Sequence, residues 1–334
     1  MLARGLEPWP TLYHWDLPSA LQARGGWPER DTALRFADYA ELVGRRFGDR
    51  LRRVLVLNEA EIHAMEGHGK DSHAPGLASR EAFFAAAHHL NLGQGLAMRA
   101  LRAAPPGTAL GSAMSLRPVR PAKPGEDAAA ERLDALSNRL FLDPPFRAGR
   151  YPAILEAELA PWLREGDAAV VGQRPDLLGV NYYAPAFAAA GGPFGAEQGD
   201  SPYPLPATRM GFMVEPESLA TLLRRLRDEY GNPPVWITEN GASYEDPAPD
   251  AAGVIQDPER RDYLRDHLLA ASRAAAEGCD LRGYFCWTLT DNWEWAKGYI
   301  QPFGLVAVDR ATGRRVPKAS LDAFGGWARA NRVA

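Results

Sequence analysis

The sequence has 334 residues, of which 24% are charged, and its formal net charge is −4. This small negative charge excludes the electrostatic signature of a protein that binds nucleic acid or an anionic membrane. Its two cysteines exclude a disulfide framework, and no apolar segment is long enough for a membrane-spanning helix. The first residues lack the apolar core of a signal peptide, so a cytoplasmic protein is predicted.

The chain alternates strand-like and helix-like segments. Short apolar runs predict strands near 9–13, 54–57, 108–114, 176–180, 234–238 and 283–287. Helical periodicity and typical helix caps predict helices over about 32–47, 80–102, 128–141, 152–164, 216–230, 257–278 and 318–331. Such alternation predicts a parallel sheet with crossover helices, and no linker divides it, so a single domain over 1–334 is predicted.

Two connecting segments stand out. Residues 60–78 contain three histidines at intervals of five, His63, His68 and His73. This spacing does not place them on one face of an α-helix, so a loop without a metal site is predicted. Residues 190–213 are rich in glycine and proline, and this length is typical of a lid or a pocket wall.

Two predicted strands lead into a glutamate. The run 235–237 continues into Thr-Glu-Asn-Gly, which contains Glu239, and an earlier run continues into Asn58 and Glu59. Taken alone, the Asn-Gly pair at 240–241 is typical of a hairpin turn with an exposed glutamate beside it. A fold that brings both strand ends to one edge would instead create a pair of carboxylates.

Polar or aromatic side chains follow nearly every predicted strand. The strand ends carry His14-Trp15, Asn58-Glu59, Asn181 with Tyr183, Glu239 and Trp287. This pattern is typical of the active-site face of an α/β barrel. A doubly wound sheet also accommodates six strands, but no glycine-rich phosphate loop follows the first one. An α/β barrel with about six strand–helix units is therefore favoured.

The ordered set of motifs closely resembles glycoside hydrolase family 1, the β-glucosidase family of retaining glycosidases. The motifs are Thr-Leu-Tyr-His-Trp-Asp-Leu-Pro at 11–18, Asn58-Glu59, His-Ala-Pro-Gly at 73–76, Asn-Tyr-Tyr at 181–183, Ile-Thr-Glu-Asn-Gly at 237–241, and the segment 283–299. The likeness runs from about Leu12 to Phe324. It implies a TIM-type (β/α)8 barrel that hydrolyses β-linked glucosides or related glycosides, with no metal or organic cofactor.

The resemblance also implies roles for individual residues. Glu239 matches the nucleophile, and Glu59 matches the acid/base that protonates the leaving group. The implied substrate-binding residues are His14, Trp15, Asn58, Asn181, Tyr183, Trp287, Glu294, Trp295 and Phe303. Of these, Asn58 would hold the sugar 2-hydroxyl, Asn181 would support the acid/base side and Tyr183 would hydrogen-bond the nucleophile. For Phe303 a role in the core stays open. The retaining mechanism requires the two carboxyl groups to lie about 5–5.5 Å apart.

The chain departs from the family pattern in three places. It begins in what corresponds to the third strand–helix unit, so a glycone-binding glutamine and an arginine beside the nucleophile are predicted to be absent. Ala60 follows Glu59 where proline is usual, and Pro302 replaces a basic residue. An incomplete barrel would expose strand edges and apolar side chains such as Leu12 and Phe285, which predicts self-association through the gap or low stability.

Two functions stay open at this point. The first is a working retaining β-glycosidase that acts on a small-molecule β-glycoside. The second is a catalytically weak or inactive sugar-binding relative, or a fragment of one. The presence of both Glu59 and Glu239 favours the first, and the absence of the arginine favours the second.

Overall fold

The computed structural model describes residues 1–103 and 107–333. Its strands are β1 (Thr11–Tyr13), β2 (Arg53–Asn58), β3 (Ala109–Ser115), β4 (Val119–Pro121), β5 (Leu178–Asn181), β6 (Ala186–Ala189), β7 (Glu197–Gln198), β8 (Val235–Asn240), β9 (Leu281–Cys286), β10 (Val306–Val308) and β11 (Arg315–Pro317). Its α-helices are α1 (Ser19–Gln22), α2 (Arg30–Phe47), α3 (Ala60–Ile62), α4 (Arg80–Arg102), α5 (Asp127–Asp134), α6 (Leu140–Phe146), α7 (Glu156–Leu159), α8 (Asp167–Val171), α9 (Pro216–Tyr230), α10 (Pro258–Ala276) and α11 (Ala319–Ala330).

The main sheet contains the six strands predicted from the sequence, in the order β1-β2-β3-β5-β8-β9. The pairs β1–β2, β2–β3 and β8–β9 are parallel. Parallel strands separated in sequence by helices confirm the α/β class. Two smaller sheets accompany the main one, an antiparallel pair β10-β11 and a three-stranded sheet β4-β6-β7.

The chain divides into two compact units. The first consists of Met1–Gly179 and Ala188–Gly199, and the second of Val180–Phe187 and Asp200–Ala334. Buried aromatic side chains such as Trp27, Phe83 and Phe141 form the core of the first unit. In the second unit, the helix α9 buries the leucines of one face, Leu219, Leu222, Leu223 and Leu226. The single domain over 1–334 stays a prediction.

Several helices match their predicted bounds, and two segments do not. The predicted helix 152–164 is wrong, because only a 3-10 turn at Ala153–Leu155 and the short α7 form there. Pro161 follows α7 closely, and proline cannot continue a helix. The predicted loop 60–78 is wrong over its first half, where α3 runs into a π-helix at His63–Gly69. No helix in the described ranges combines the length and apolar character that crossing a membrane requires.

Candidate active site

Glu59 follows directly after the buried strand β2. Its side chain is 8% exposed, and its backbone N–H donates to the carbonyl oxygen of Ala113 on β3 at 2.8 Å. The backbone of Glu59 is left-handed, with φ 44° and ψ 53°. A non-glycine residue persists in this conformation only where its surroundings fix it, because it costs about 1–3 kcal/mol. The fold therefore holds Glu59 at the end of β2 in a defined orientation.

Three further predicted residues lie next to Glu59 in the first unit. The Asn58 side-chain nitrogen Nδ2 lies 3.1 Å from Nε2 of His14. The indole N–H of Trp15 donates to the Asn58 carbonyl oxygen at 2.9 Å. His14 and Trp15 follow β1, which pairs in parallel with β2 through Tyr13 and Leu57. The parallel register thus brings His14, Trp15, Asn58 and Glu59 to the carboxyl ends of two neighbouring strands.

The histidines predicted to lie in a loop are partly organised by the π-helix. The His63 and His68 rings pack edge to face with centroids 5.1 Å apart, because hydrogen bonds between residues five apart place such a pair on one side of the helix. The His63 ring stacks on the Trp15 ring, and its Nε2 lies 3.1 Å from the hydroxyl of Tyr13. Burial lowers the pKa of His63 to about 3. The sequence interpretation missed His63 as a support for Trp15, because this contact arises from tertiary packing.

Glu61 is a buried acidic residue that the sequence interpretation also missed. Its side chain is 3% exposed, and its Oε1 accepts a hydrogen bond from the backbone N–H of Ser115. Burial, followed by the negative charge of Glu59, raises the pKa of the Glu61 carboxyl well above its usual range. Nothing in the local sequence signals this burial, because a charged residue in the first turn of a helix is normally solvated.

Glu239 lies in the second unit, one residue before the end of strand β8. Its side chain is 8% exposed, and its Oε2 accepts a 2.6 Å hydrogen bond from the hydroxyl of Tyr183. Its carbonyl oxygen accepts a hydrogen bond from the N–H of Tyr182 at 2.9 Å. Because β8 and β9 are parallel, Asn240-Gly241 is not a hairpin turn, and Glu239 is not an exposed shoulder.

The residues around Glu239 are held by buried hydrogen bonds. The Asn240 side chain donates to the Tyr182 carbonyl oxygen at 2.6 Å and to the Tyr263 hydroxyl at 3.1 Å. Asn181 accepts a 2.6 Å hydrogen bond from the hydroxyl of Thr238. The structure thus places Asn181 beside β8 in the second unit, and its predicted role in supporting the acid/base stays a prediction.

The last group of predicted residues follows strand β9. The indole of Trp287 and the amide of Asn292 both donate hydrogen bonds to the Glu294 carboxylate, the latter at 2.9 Å. Burial raises the pKa of Glu294, and these two hydrogen bonds oppose that rise. Phe303 is buried, and its ring centroid lies 6.3 Å from that of Tyr183. Trp287 therefore contacts Glu294 through a hydrogen bond, and Phe303 contacts the ring of Tyr183, whose hydroxyl binds Glu239.

Three of the predicted site residues have left-handed backbone conformations. The non-glycine residues with positive φ among those described are Trp15, Glu59, Ala78, Ala148, Asn232, Trp295 and Asn331. Three of them, Trp15, Glu59 and Trp295, were selected from the sequence for another reason. Trp295 has φ 44° and begins a 3-10 turn. Such conformations are typical of functional sites, where the surrounding fold stabilises them.

Within the described residues, no group of three or more His, Cys, Asp and Glu side chains is arranged to hold a metal ion. The chemistry that the side chains offer is that of carboxylates, imidazoles and hydrogen-bonding aromatic groups. Each of the two buried glutamates at strand ends, taken by itself, offers a carboxyl group suited to acid/base or nucleophilic catalysis.

Comparison with known proteins places the chain in a family. The model of the family described as glycosyl hydrolase family 1 matches residues 1–332. The chain therefore belongs to glycosyl hydrolase family 1, a family of retaining glycosidases. The predicted family and the predicted enzyme class, a glycoside hydrolase, are confirmed.

Relatives and solved structures agree with this assignment. A bifunctional β-D-glucosidase/β-D-fucosidase of Bifidobacterium breve is 41% identical over 96% of this chain and 75% of its own length. A thermostable β-glucosidase B of Thermobispora bispora is 45% identical over 96% of this chain and 67% of its own length. The crystal structure of a psychrophilic β-glucosidase from Micrococcus antarcticus superposes with a TM-score of 0.94 at 40% identity, covering 99% of this chain and 76% of the other.

These comparisons confirm the TIM-barrel fold class. They do not support the predicted absence of two strand–helix units, because the matches run along nearly the whole of this chain. They also leave the roles of the individual site residues as predictions.

Proposed function

We propose that this protein hydrolyses β-linked glucosides and related β-glycosides with retention of configuration, using Glu239 as nucleophile and Glu59 as acid/base. The observation that carries the proposal is the buried Glu239 carboxylate at the end of β8, with the Tyr183 hydroxyl 2.6 Å from its Oε2. In a chain of this family, such a carboxylate is suited to attack on an anomeric carbon. The β-glucoside preference is supported by the names of the relatives.

The first step would form a covalent glycosyl-enzyme. One Glu239 oxygen attacks the anomeric carbon as the bond to the leaving oxygen breaks, and Glu59 gives its proton to that oxygen. Tyr183 donates to Oε2 of Glu239, so it holds the carboxylate plane and leaves the other oxygen for the attack. The leaving group departs as a neutral alcohol, and Glu59 is left ionised.

The second step would release the sugar. Glu59, now a carboxylate, takes a proton from a water molecule as the water oxygen attacks the anomeric carbon. The bond between the sugar and Glu239 breaks, and the Glu239 carboxylate is regenerated. Two displacements at the same carbon give net retention.

The residues after β9 would bind the sugar. Glu294 offers two oxygens to a pair of hydroxyls, and the hydrogen bonds from Trp287 and Asn292 fix its orientation. The indole faces of Trp287 and Trp295 suit stacking on the apolar face of a pyranose. In the first unit, the His14–Asn58 pair would present hydrogen-bonding groups to further hydroxyls.

Two variants test the assignment of the carboxylates. Glu239→Ala should abolish turnover, and added azide should give only a product of inverted configuration, because the anion enters from the vacated side. Glu59→Ala should lower kcat/KM by about 10²–10⁴-fold for glycosides with poor leaving groups and far less for dinitrophenyl glycosides. Glu229→Ala, which removes an exposed glutamate of α9, is the control. Equal losses on both substrates would remove Glu59 from the acid role.

The alternative of a weak or inactive sugar-binding relative predicts a different result. Calorimetric binding of glucose without turnover of any chromogenic β-glucoside would favour it over the enzyme.

Self-association is also part of the proposal. Phe285 on β9 is 42% exposed and Leu289 is 62% exposed, and covering such side chains stabilises an association. Light scattering that gave a strictly monomeric species would contradict this. The cytoplasmic location stays a prediction that cell fractionation would test.

A further inference from the structure

A second buried carboxyl lies two residues after the proposed acid/base. Glu61 belongs to α3, the short helix that starts immediately after Glu59. Two hydrogen bonds tie this turn to strand β3: Glu59 N–H donates to the carbonyl oxygen of Ala113 at 2.8 Å, and Glu61 Oε1 accepts from Ser115 N–H. The first hydrogen bond is made by the backbone of the proposed acid/base, and the second is made by the Glu61 side chain. Glu61 is thus placed to hold the backbone that carries Glu59.

The surroundings of Glu61 disfavour its ionised form. The side chain is 3% exposed, and its Oε2 has no hydrogen-bond partner among the described residues. An ionised carboxylate in this position would bury a charged oxygen without a donor, which is more costly than burying a neutral hydroxyl. Protonation at Oε2 leaves Oε1 free to accept the Ser115 hydrogen bond.

The charged groups around Glu61 have opposing effects on its ionisation. The negative charge of Glu59 disfavours a second negative charge, whereas the Arg117 guanidinium favours it. Glu66 lies close enough to Arg117 to share that positive charge, and His63 is neutral near pH 7 because burial lowers its pKa to about 3. Three acidic groups therefore compete for one guanidinium, and the most buried of them is Glu61.

We propose that Glu61 is a positioning residue for Glu59, held as a neutral carboxylic acid whose Oε1 clamps the turn 59–61 to Ser115. The proposal rests on the function of Glu59 as the acid/base. Neutrality has a catalytic consequence, because Glu59 must ionise in the first step and act as base in the second. A neighbouring ionised carboxylate would oppose that ionisation.

Three variants separate the parts of this proposal. Glu61→Gln keeps a neutral group with an acceptor oxygen, so it mimics the protonated carboxyl. Glu61→Leu introduces an apolar side chain of similar size and removes the acceptor for Ser115. Glu126→Leu is the control, because Glu126 is also a buried carboxyl in which one oxygen accepts a backbone N–H, from Ala190 at 3.3 Å, and the other has no partner among the described residues; unlike Glu61, it also forms an ion pair, with Lys123 at 3.5 Å.

We expect Glu61→Gln to stay within about threefold of the wild type in kcat/KM, with an unchanged pH profile. Glu61→Leu should lower kcat/KM for cellobiose by about 10- to 100-fold and for a dinitrophenyl β-glucoside by less than about threefold, because a misplaced acid matters only for poor leaving groups. Glu126→Leu should affect both substrates equally. A folded Glu61→Leu protein with equal losses on both would overturn the positioning role.

The protonation state has its own readout. In protein labelled with ¹³C at the glutamate carboxyl, the Glu61 resonance, assigned by its loss in Glu61→Gln, should keep the shift of a protonated acid at pH 6. A carboxylate shift, or a Glu61→Gln profile whose basic limb moves to lower pH, would overturn neutrality. This measurement does not need turnover, so it decides the state of Glu61 even if the wild type hydrolyses no β-glycoside, a result that would instead contradict the proposed function.

Discussion

The buried histidine of helix α10 gives a prediction about stability against pH. His267 is fully buried, its ring stacks on Tyr263 at a centroid distance of 3.9 Å, and its Nδ1 lies 2.8 Å from the Tyr263 carbonyl oxygen. Its Nε2 has no hydrogen-bond partner among the described residues. Burial lowers the pKa of His267 from 6.5 to about 4, against the opposing effects of the Tyr263 carbonyl and the Asp266 charge.

The sign of the effect follows from which state binds the proton. At a pH between about 4, the pKa of His267 in the folded chain, and 6.5, its value in the unfolded chain, only the unfolded chain is protonated at His267. The unfolded state is therefore favoured as the pH falls from 6.5 toward 4, and the full stability is present above 6.5. Between pH 7 and pH 5, this single group should remove about 2 kcal/mol from the free energy of unfolding.

The substitution His267→Phe isolates this contribution. Phenylalanine keeps an aromatic ring against Tyr263 and cannot bind a proton. It loses the hydrogen bond to the Tyr263 carbonyl, worth about 0.5–1.5 kcal/mol, and it also removes an unsatisfied buried nitrogen. At pH 7 the two proteins should therefore differ by about 1 kcal/mol or less. At pH 5 the variant should have gained about 2 kcal/mol relative to the wild type.

Scanning calorimetry at the two pH values measures the difference. A change of about 2 kcal/mol corresponds to about 3 °C in Tm if all 334 residues unfold together. Leu264→Met, a volume-conserving change at a buried position on the same helix, should shift Tm equally at both pH values. If His267→Phe also gave the same shift at pH 7 and pH 5, His267 would titrate alike in the folded and unfolded chains, and the reasoning would be refuted.

Two further substitutions test contacts in the second unit. Tyr183→Phe removes the 2.6 Å hydrogen bond to Glu239. A hydrogen bond to a charged group contributes about 1.5–3 kcal/mol, so kcat/KM should fall about 10- to 150-fold with little change in Tm. A loss below twofold would show that this hydrogen bond does not orient the carboxylate. Arg260→Met breaks the buried ion pair with Asp257 at 2.5 Å and should cost about 3–5 kcal/mol of stability. The exposed ion pair of Arg273 on the same helix is the control, and Arg273→Met should change Tm little. Similar Tm values for both variants would contradict the buried role of Arg260.

Strand β2 was predictable because a short apolar run corresponds to its buried residues. In β2, Val54 to Leu57 are all buried, so the residues that follow mark the strand end without any knowledge of the tertiary fold. The segment 60–69 was not predictable in the same way. A π-helix differs from an α-helix only in which carbonyl each N–H reaches, and the residue types at 63–69 carry no consistent marker of that choice.

The site was predictable where a residue follows a strand directly, and less so elsewhere. Glu59 and Glu239 could be selected from position and motif alone. The burial of Glu61 could not, because it depends on Ser115, which is 54 residues away in sequence. The hydrogen bond between Trp287 and Glu294 depends likewise on the path of the loop between them. Such contacts arise from tertiary packing that single-residue preferences do not encode.

Gly241 shows how closely the backbone around the proposed nucleophile is packed. A Cβ atom placed on Gly241 would lie 1.7 Å from the carbonyl oxygen of Trp287 and 2.8 Å from its carbonyl carbon. These are backbone atoms, and the Trp287 N–H donates to the Asn240 carbonyl oxygen at 2.9 Å. A methyl group on Gly241 would therefore force apart the ends of β8 and β9, where Glu239 and Trp287 lie.

Gly241→Ala should therefore lower kcat/KM by about 100-fold or more, since a displacement of about 1 Å of a reacting group has an effect of that size. The control is Gly326→Ala in helix α11, where an added Cβ meets nothing within 4 Å, and where alanine should be neutral or stabilising by up to about 1 kcal/mol. Activity on a dinitrophenyl β-glucoside is the suitable assay, because it reports the attack by Glu239 with little demand on the acid. Wild-type activity in Gly241→Ala would mean that Glu239 tolerates movement of its strand end, and that its orientation is set by Tyr183 alone.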